Sequence, residues 1–207
     1  MNVISLTRDL IKFNTINPPG NEEEVARHVG SILSAHGFDV DYPEHSEGRL
    51  NLVATKGLSE EKAPIVLTGH LDVVPLGAKE WSTDPFEGSV FEGKLFGRGS
   101  SDMKGGIAAM MIAAIECFND VAPKGGVKLI FTADEELGCN GARQLCASGY
   151  DIGNASAMLV GEPTSNAPLI GHKGGLYLKA RTSGVTAHSS MPELGDNAIY
   201  KAAKAIN

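Results

Sequence analysis

Strands that alternate with helices predict an α/β protein: a layered, largely parallel sheet with flanking helices, followed by the start of a smaller α+β domain. Three observations carry this. VKLIFTA (127–133) and AMLVG (157–161) are continuous apolar runs of the kind buried on both faces of a parallel sheet. IAAMMIAAIECF (107–118) is apolar on nearly every helical face, which predicts a helix sunk in a large core. After about residue 170 the texture changes, and GLYLKARTSG (175–184) alternates like a half-exposed strand.

The other elements follow in order. Val3, Leu6, Leu10 and Ile11 share one helical face, and the turn-rich INPPG comes next. Asn21 precedes Glu24 by three residues, a variant of the capping box, and Val25, Val29, Ile32 and Leu33 continue at helical spacing to a stop at Gly37. NLVAT (51–55) and IVLTGH (65–70) are predicted strands with a polar turn at 59–62. SVFEGKLFGRG is predicted to form a hairpin turning at Glu92 and Gly93. GARQLCASG (141–149) is predicted to be a helix with a glycine stop, and a last helix begins at Asp196. Residues 1–170 are thus expected to form one domain and 171–207 the beginning of another.

The chain has 207 residues, 42% of them apolar, enough for one domain with a substantial core. A net charge of −7 argues against a nucleic-acid partner, which favours a basic patch. Cys117, Cys139 and Cys146 are odd in number and form no CxxC pair, so neither a disulfide framework nor a thiolate metal site is expected. They are expected to be small buried hydrophobes in a reducing compartment. No segment has the length of a membrane span and no signal peptide opens the chain, so a cytoplasmic location is expected.

Four clusters of acids and histidine lie where predicted strands end, and in open α/β sheets sites form at the carboxyl ends of strands. GHLDVVP carries His70 and Asp72. Residues i and i+2 share a strand face, so Asp72 can reach the imidazole, fix its tautomer and leave the other nitrogen for a metal. A buried packing pair fits the same residues. GRGSSDMKGG carries Asp102, either a metal-bridging carboxylate or the N-cap of the following helix. The motif lacks the signatures of a phosphate-binding loop. TADEELG carries Glu135 and Glu136. Adjacent acids repel unless a cation compensates, and the alternative is a solvated acidic turn. LVGEPTS carries Glu162 directly after an apolar strand. Taken together, imidazole and carboxylates on successive strand ends suit zinc, with cobalt or manganese as substitutes.

GHLDVVP, GRGSSDMKGG, ADEELG and GEPT, in this order, resemble the family of acetylornithine deacetylase, succinyl-diaminopimelate desuccinylase, aminoacylase-1 and zinc carboxypeptidase G. The resemblance spans roughly residues 5–200 and implies a zinc-peptidase-like catalytic domain with two Zn2+ ions. It implies that His70 and Glu162 bind one zinc, Asp102 bridges both, Glu136 binds the second, Glu135 is the general base and Asp72 orients His70. GHKGGLYLKARTSGVTAHSS matches the start of the family's inserted dimerisation domain. His188 there matches a histidine that stabilises the oxyanion in a neighbouring active site, which implies a homodimer.

The resemblance also implies one more histidine ligand in a later segment. This chain reaches Asn207 without it, so a complete first ligand set and a second set one ligand short are expected. The expected reaction is hydrolysis of the amide in an N-acyl amino acid. A zinc dipeptidase or carboxypeptidase using the same site remains open, as does a catalytically incomplete metal-binding fragment. No membrane partner is expected.

Overall fold

The computed structural model describes residues 1–176 and 178–206. It divides into two units, Met1–Asn166 and Ala167–Asn207. The first unit runs α1 (Val3–Ile11), α2 (Glu23–Ala35), β1 (Asp39–Asp41), the antiparallel pair β2 (Glu44–Ser46) and β3 (Arg49–Leu50), β4 (Leu52–Lys56), β5 (Ile65–His70), the hairpin β6 (Ser89–Phe91) and β7 (Lys94–Phe96), α3 (Lys104–Asp120), β8 (Val127–Thr132), α4 (Asn140–Ala147) and β9 (Ala157–Val160). The order in the main sheet is β1-β4-β8-β5-β9.

β5 pairs in parallel with both β8 and β9. β4 is antiparallel to β8 and to β1, so it alone runs against the other four. The sheet is therefore mixed: β8, β5 and β9 make a parallel half, and in the other β4 pairs antiparallel with its neighbour on either side. Residues 42–51 between β1 and β4 are too few for a parallel crossover, and that connection turns back through β2 and β3.

Strand alternation sorts side chains into two cores. Leu52, Ala54, Leu129 and Phe131 join the apolar faces of α1, α2 and α3 on one side of the sheet. Val53, Val66, Ile130 and Leu145 form the smaller cluster under α4 on the other. The result is a three-layer sandwich whose centre strand, β8, is buried along its whole length.

Three local expectations are corrected. β9 is exposed throughout and not buried on both faces, because it is an edge strand with β5 as its one neighbour. The N-cap of α2 is Glu22, which makes no side-chain cap, since its carboxylate is turned inward to Arg49; Asn21 is exposed. The cysteines are free, but none is buried: Cys117 is half-buried and Cys139 and Cys146 are exposed. Cys139 sits at the N-cap of α4 with a left-handed backbone and Cys146 on that helix's outer face.

In the second unit a 3-10 turn (Pro192–Leu194) precedes α5 (Ala198–Ile206). Asn197 caps α5, its side chain accepting the N–H of Ile199 at 2.9 Å. The strand expected over 175–184 does not form among the described residues, where no neighbouring strand satisfies its backbone; Tyr177 lies outside them. One isolated bridge joins Val185 and Asp196. No helix among the described residues is long and apolar enough to cross a membrane.

Candidate functional site

The parallel register sets the site. His70, the last residue of β5, lies opposite Thr132 of β8, while Val160 of β9 lies opposite Thr68. The segments that follow these strands therefore emerge at one sheet edge, bringing Asp72, Glu135, Glu136 and Glu162 together. Asp102 reaches the same edge from the loop before α3. That helix approaches the sheet closely because a Cβ on Gly106 would stand only 2.6 Å from the carbonyl oxygen of Gly161. Met103 passes beneath β5, where its sulfur accepts the N–H of His70 at 3.3 Å. The N-cap of α3 is Met103, with no side-chain cap, so the capping role open to Asp102 is not used.

His70 is 1% exposed. Its Nε2 lies 3.0 Å from Asp102 Oδ1, 3.7 Å from Glu162 Oε1 and 3.9 Å from Glu135 Oε2. Its Nδ1 is 2.9 Å from the backbone carbonyl of Asp72, with the Asp72 carboxylate farther away at 3.6 Å. The main-chain carbonyl thus makes the closer contact that fixes the ring. The Asp72 carboxylate is engaged instead by Asn17 Nδ2 (2.8 Å) and by the backbone N–H groups of Glu135 (3.0 Å) and Glu136 (3.1 Å).

Charge crowding dominates the electrostatics. Burial lowers the pKa of His70, but the carboxylates of Asp102, Asp72 and Glu162 outweigh it and push the value up to about 11. The same imidazole holds Asp102 below the usual carboxylate range. Burial, aided by neighbouring carboxylates and opposed by His70, pushes Glu136 up to about 7 and raises Glu162. One imidazole faces several crowded carboxylates here, and the repulsion among them is what a bound cation would relieve.

Among the described residues two groups have donor atoms close enough to share an ion: His70, Asp102 and Glu162, and His70, Glu135 and Glu136. Glu136 Oε1 is buried with no hydrogen-bond partner, an atom a metal would satisfy. The donors are one imidazole and hard carboxylate oxygens, and they fit a divalent ion such as zinc, cobalt or manganese.

His188 belongs to the second unit and is exposed. The structure adds residues that motif reading passed over. Asn17 came from a segment read only as a turn. Arg49, partly buried, pairs with the fully buried Glu22 beside Asp134, and His45 Nε2 lies 3.2 Å from Asp134 Oδ2. A carboxylate at Glu22 that is 0% exposed has no sequence signal, since its partner lies 27 residues away. His28 is half-buried against the ring of Phe13.

An imidazole and carboxylates gathered at the carboxyl edge of an α/β sheet form the kind of centre found in metal-dependent hydrolases. Residues 66–206 match the family model described as Peptidase family M20/M25/M40, and the chain belongs to that family. It is 41% identical over 199 residues to a probable succinyl-diaminopimelate desuccinylase of Staphylococcus epidermidis, covering 95% of this chain and 48% of that protein. The chain thus spans about half the length of the relatives it matches.

Among solved structures it resembles an M20 family metallo-carboxypeptidase, Sso-CP2 of Sulfolobus solfataricus (TM-score 0.78, 20% identity, 100% of this chain and 49% of that one). It also resembles a dinuclear metal-binding peptidase of the M20 family from Bacillus subtilis (TM-score 0.54, 20% identity, 76% and 41%). At these identities the likeness is one of fold.

Proposed function

We infer that this chain supplies the metal-binding half of an amidohydrolase that removes the acyl group from an N-acyl amino acid, with an N-succinyl amino acid as the favoured substrate. The observation that carries it is the convergence of His70 with Asp102, Glu135, Glu136 and Glu162 at one strand edge. Similarity to the probable desuccinylase of Staphylococcus epidermidis favours the succinyl group. Similarity to the dinuclear peptidase of Bacillus subtilis favours two metal ions, and the donor set favours zinc.

Divalent ions held here supply positive charge that polarises the scissile carbonyl and acidifies water. In the proposed arrangement His70 and Glu162 would hold one ion, Glu136 the other and Asp102 both; Asp102 shares a donor group with His70 and Glu162, and Glu136 one with His70 and Glu135. Glu135, about a third exposed, keeps Oε2 3.9 Å from His70 Nε2 and accepts a weak bond from Cys139 Sγ through Oε1 at 3.4 Å. It takes the proton of the attacking water and delivers it to the leaving amine.

His188 is proposed as the donor to the oxyanion in a homodimer. Ser190 N–H donates to its Nδ1 (3.2 Å), so the neutral ring carries its proton on Nε2, the form that can donate. The first unit is the catalytic one and the second the start of a dimerisation domain. The three free cysteines favour a reducing, cytoplasmic setting.

One observation favours a second reading, a metal-binding fragment without turnover: among the described residues the two donor groups share a single imidazole, His70. The test is release of primary amine by this chain, loaded with Zn2+ or Co2+, from N-succinyl-diaminopimelate, an N-acetyl amino acid and a dipeptide. Preference for the succinyl substrate supports the main reading. Preference for the dipeptide turns it into a peptidase. Metal bound without turnover selects the fragment.

A further inference from the structure

The turn before α2 brings one polar side chain into the space beneath the candidate metal centre. Residues 15–17 lie alongside 71–73 like a short extra strand. Asn17 N–H donates to Val73 O (2.8 Å), Val73 N–H to Thr15 O (3.0 Å), and Thr15 Oγ1 to Leu71 O (2.7 Å). Asn17 is 1% exposed and held by its own backbone. Its amide nitrogen donates to two carboxylates at once, Asp72 Oδ2 at 2.8 Å and Asp134 Oδ1 at 2.6 Å. The reverse amide orientation would set an oxygen against both acids, so the assignment follows from charge.

These two carboxylates belong to different strand ends. Asp72 follows β5 and grips the backbone N–H groups of Glu135 and Glu136. Asp134 follows β8 with a left-handed backbone (φ 53°) and begins the turn that carries those same glutamates. It is braced from behind by Asn140 Nδ2 (3.0 Å), His45 Nε2 (3.2 Å) and Arg49 (3.4 Å), and its N–H donates to Glu22 Oε1 (3.3 Å). Two buried acids this close repel unless a donor sits between them.

We propose that Asn17 is a positioning residue of the metal centre, joining the Asp72 and Asp134 carboxylates so that the turn bearing Glu135 and Glu136 is held in ligating orientation. This rests on the metal-centre reading above. Asn17 touches none of the candidate ligands' donor atoms; it acts through Asp72. Without its amide the two acids separate, Asp72 rotates, and both glutamate side chains lose their fixed origin. Loss of such an outer partner lowers metal affinity about 10–100-fold.

The test is a Co2+ titration of the 207-residue chain, followed by the visible d–d absorption of bound cobalt, for the natural sequence and for Asn17→Leu. Leucine fills similar space and donates nothing. The expected result is a variant with unchanged far-UV circular dichroism, cobalt binding weakened about 10–100-fold and a shifted d–d band. A folded variant with the natural affinity and band overturns the inference. If Asn17→Leu does not fold, Asn17→Ser is read in the same way, and loss of fold in both makes the residue purely structural and also overturns it. A natural chain that binds no cobalt defeats the metal-centre reading itself, a separate result that takes this inference with it.

Discussion

Asp72 Oδ1 accepts the backbone N–H of Glu135 at 3.0 Å, a bond between the end of β5 and the turn after β8 that spans 63 positions of sequence. With the neighbouring bond from Glu136 N–H, it makes Asp72 a clasp between the strand that bears the imidazole and the turn that bears two acids.

Asp72→Asn is therefore expected to destabilise the protein. Three donors converge on that carboxylate besides the histidine, and an amide cannot accept them all. One buried N–H left unpaired costs about 1–3 kcal/mol. Urea unfolding of the metal-free protein measures this, and a variant of natural stability would remove the clasp.

In the full-length enzyme Glu135→Ala is expected to abolish turnover while metal content is nearly unchanged. A general base contributes about 10²–10⁴-fold to rate. Elemental analysis and an amine-release assay on the same sample check both halves. Retained turnover would remove Glu135 as the base.

Metal removal is expected to lower stability, since a ligand that binds only the folded chain stabilises it by mass action. At a free concentration 100 times its Kd the gain is about 2.7 kcal/mol. Chemical denaturation with Zn2+ and with a chelator gives the difference. His70→Ala should erase it, because both donor groups contain that imidazole.

Arg49→Met leaves Glu22 buried and charged without its cation. Arg49 donates to Glu22 through Nε (2.8 Å) and Nη2 (2.5 Å), and Glu22 is 0% exposed. Breaking such a pair from one side costs about 3–5 kcal/mol. The double change Arg49→Met with Glu22→Gln should recover part of the loss. Equal stabilities for the single and double variants would show that the pair is not coupled.

Gly106→Ala tests the approach of α3 to the sheet. The added Cβ meets the backbone oxygen of Gly161, which cannot swing aside as a side chain would. Overpacking of this kind costs about 1–3 kcal/mol, and the shift of α3 moves Asp102 away from His70. A drop in both melting temperature and metal affinity is the expected pair of readings.

Much of the architecture was legible in the chain. The apolar run of β8 and the largely apolar α3 marked an α/β sandwich, and in β8 burial along the whole strand is what leaves so few polar residues. The acids and the imidazole were legible as candidates because most of them stand at or just beyond a strand end. The exposure of β9 and the reversal of β4 were not, since edge position and strand direction depend on which neighbours pair.

The chemical groups near the strand ends are written in the order of residues alone: His70, Asp102, Glu135, Glu136 and Glu162, with Asp72 two residues from the imidazole. Local spacing and strand endings suffice for that. Which atoms meet depends on how the folded chain packs. That packing turns the backbone carbonyl of Asp72 to His70 and its carboxylate to Asn17 and the glutamate amides, and it buries Glu22 against Arg49. Most of these partners lie tens of residues apart, and the parallel register that joins their strands is fixed by the packing of the whole sheet.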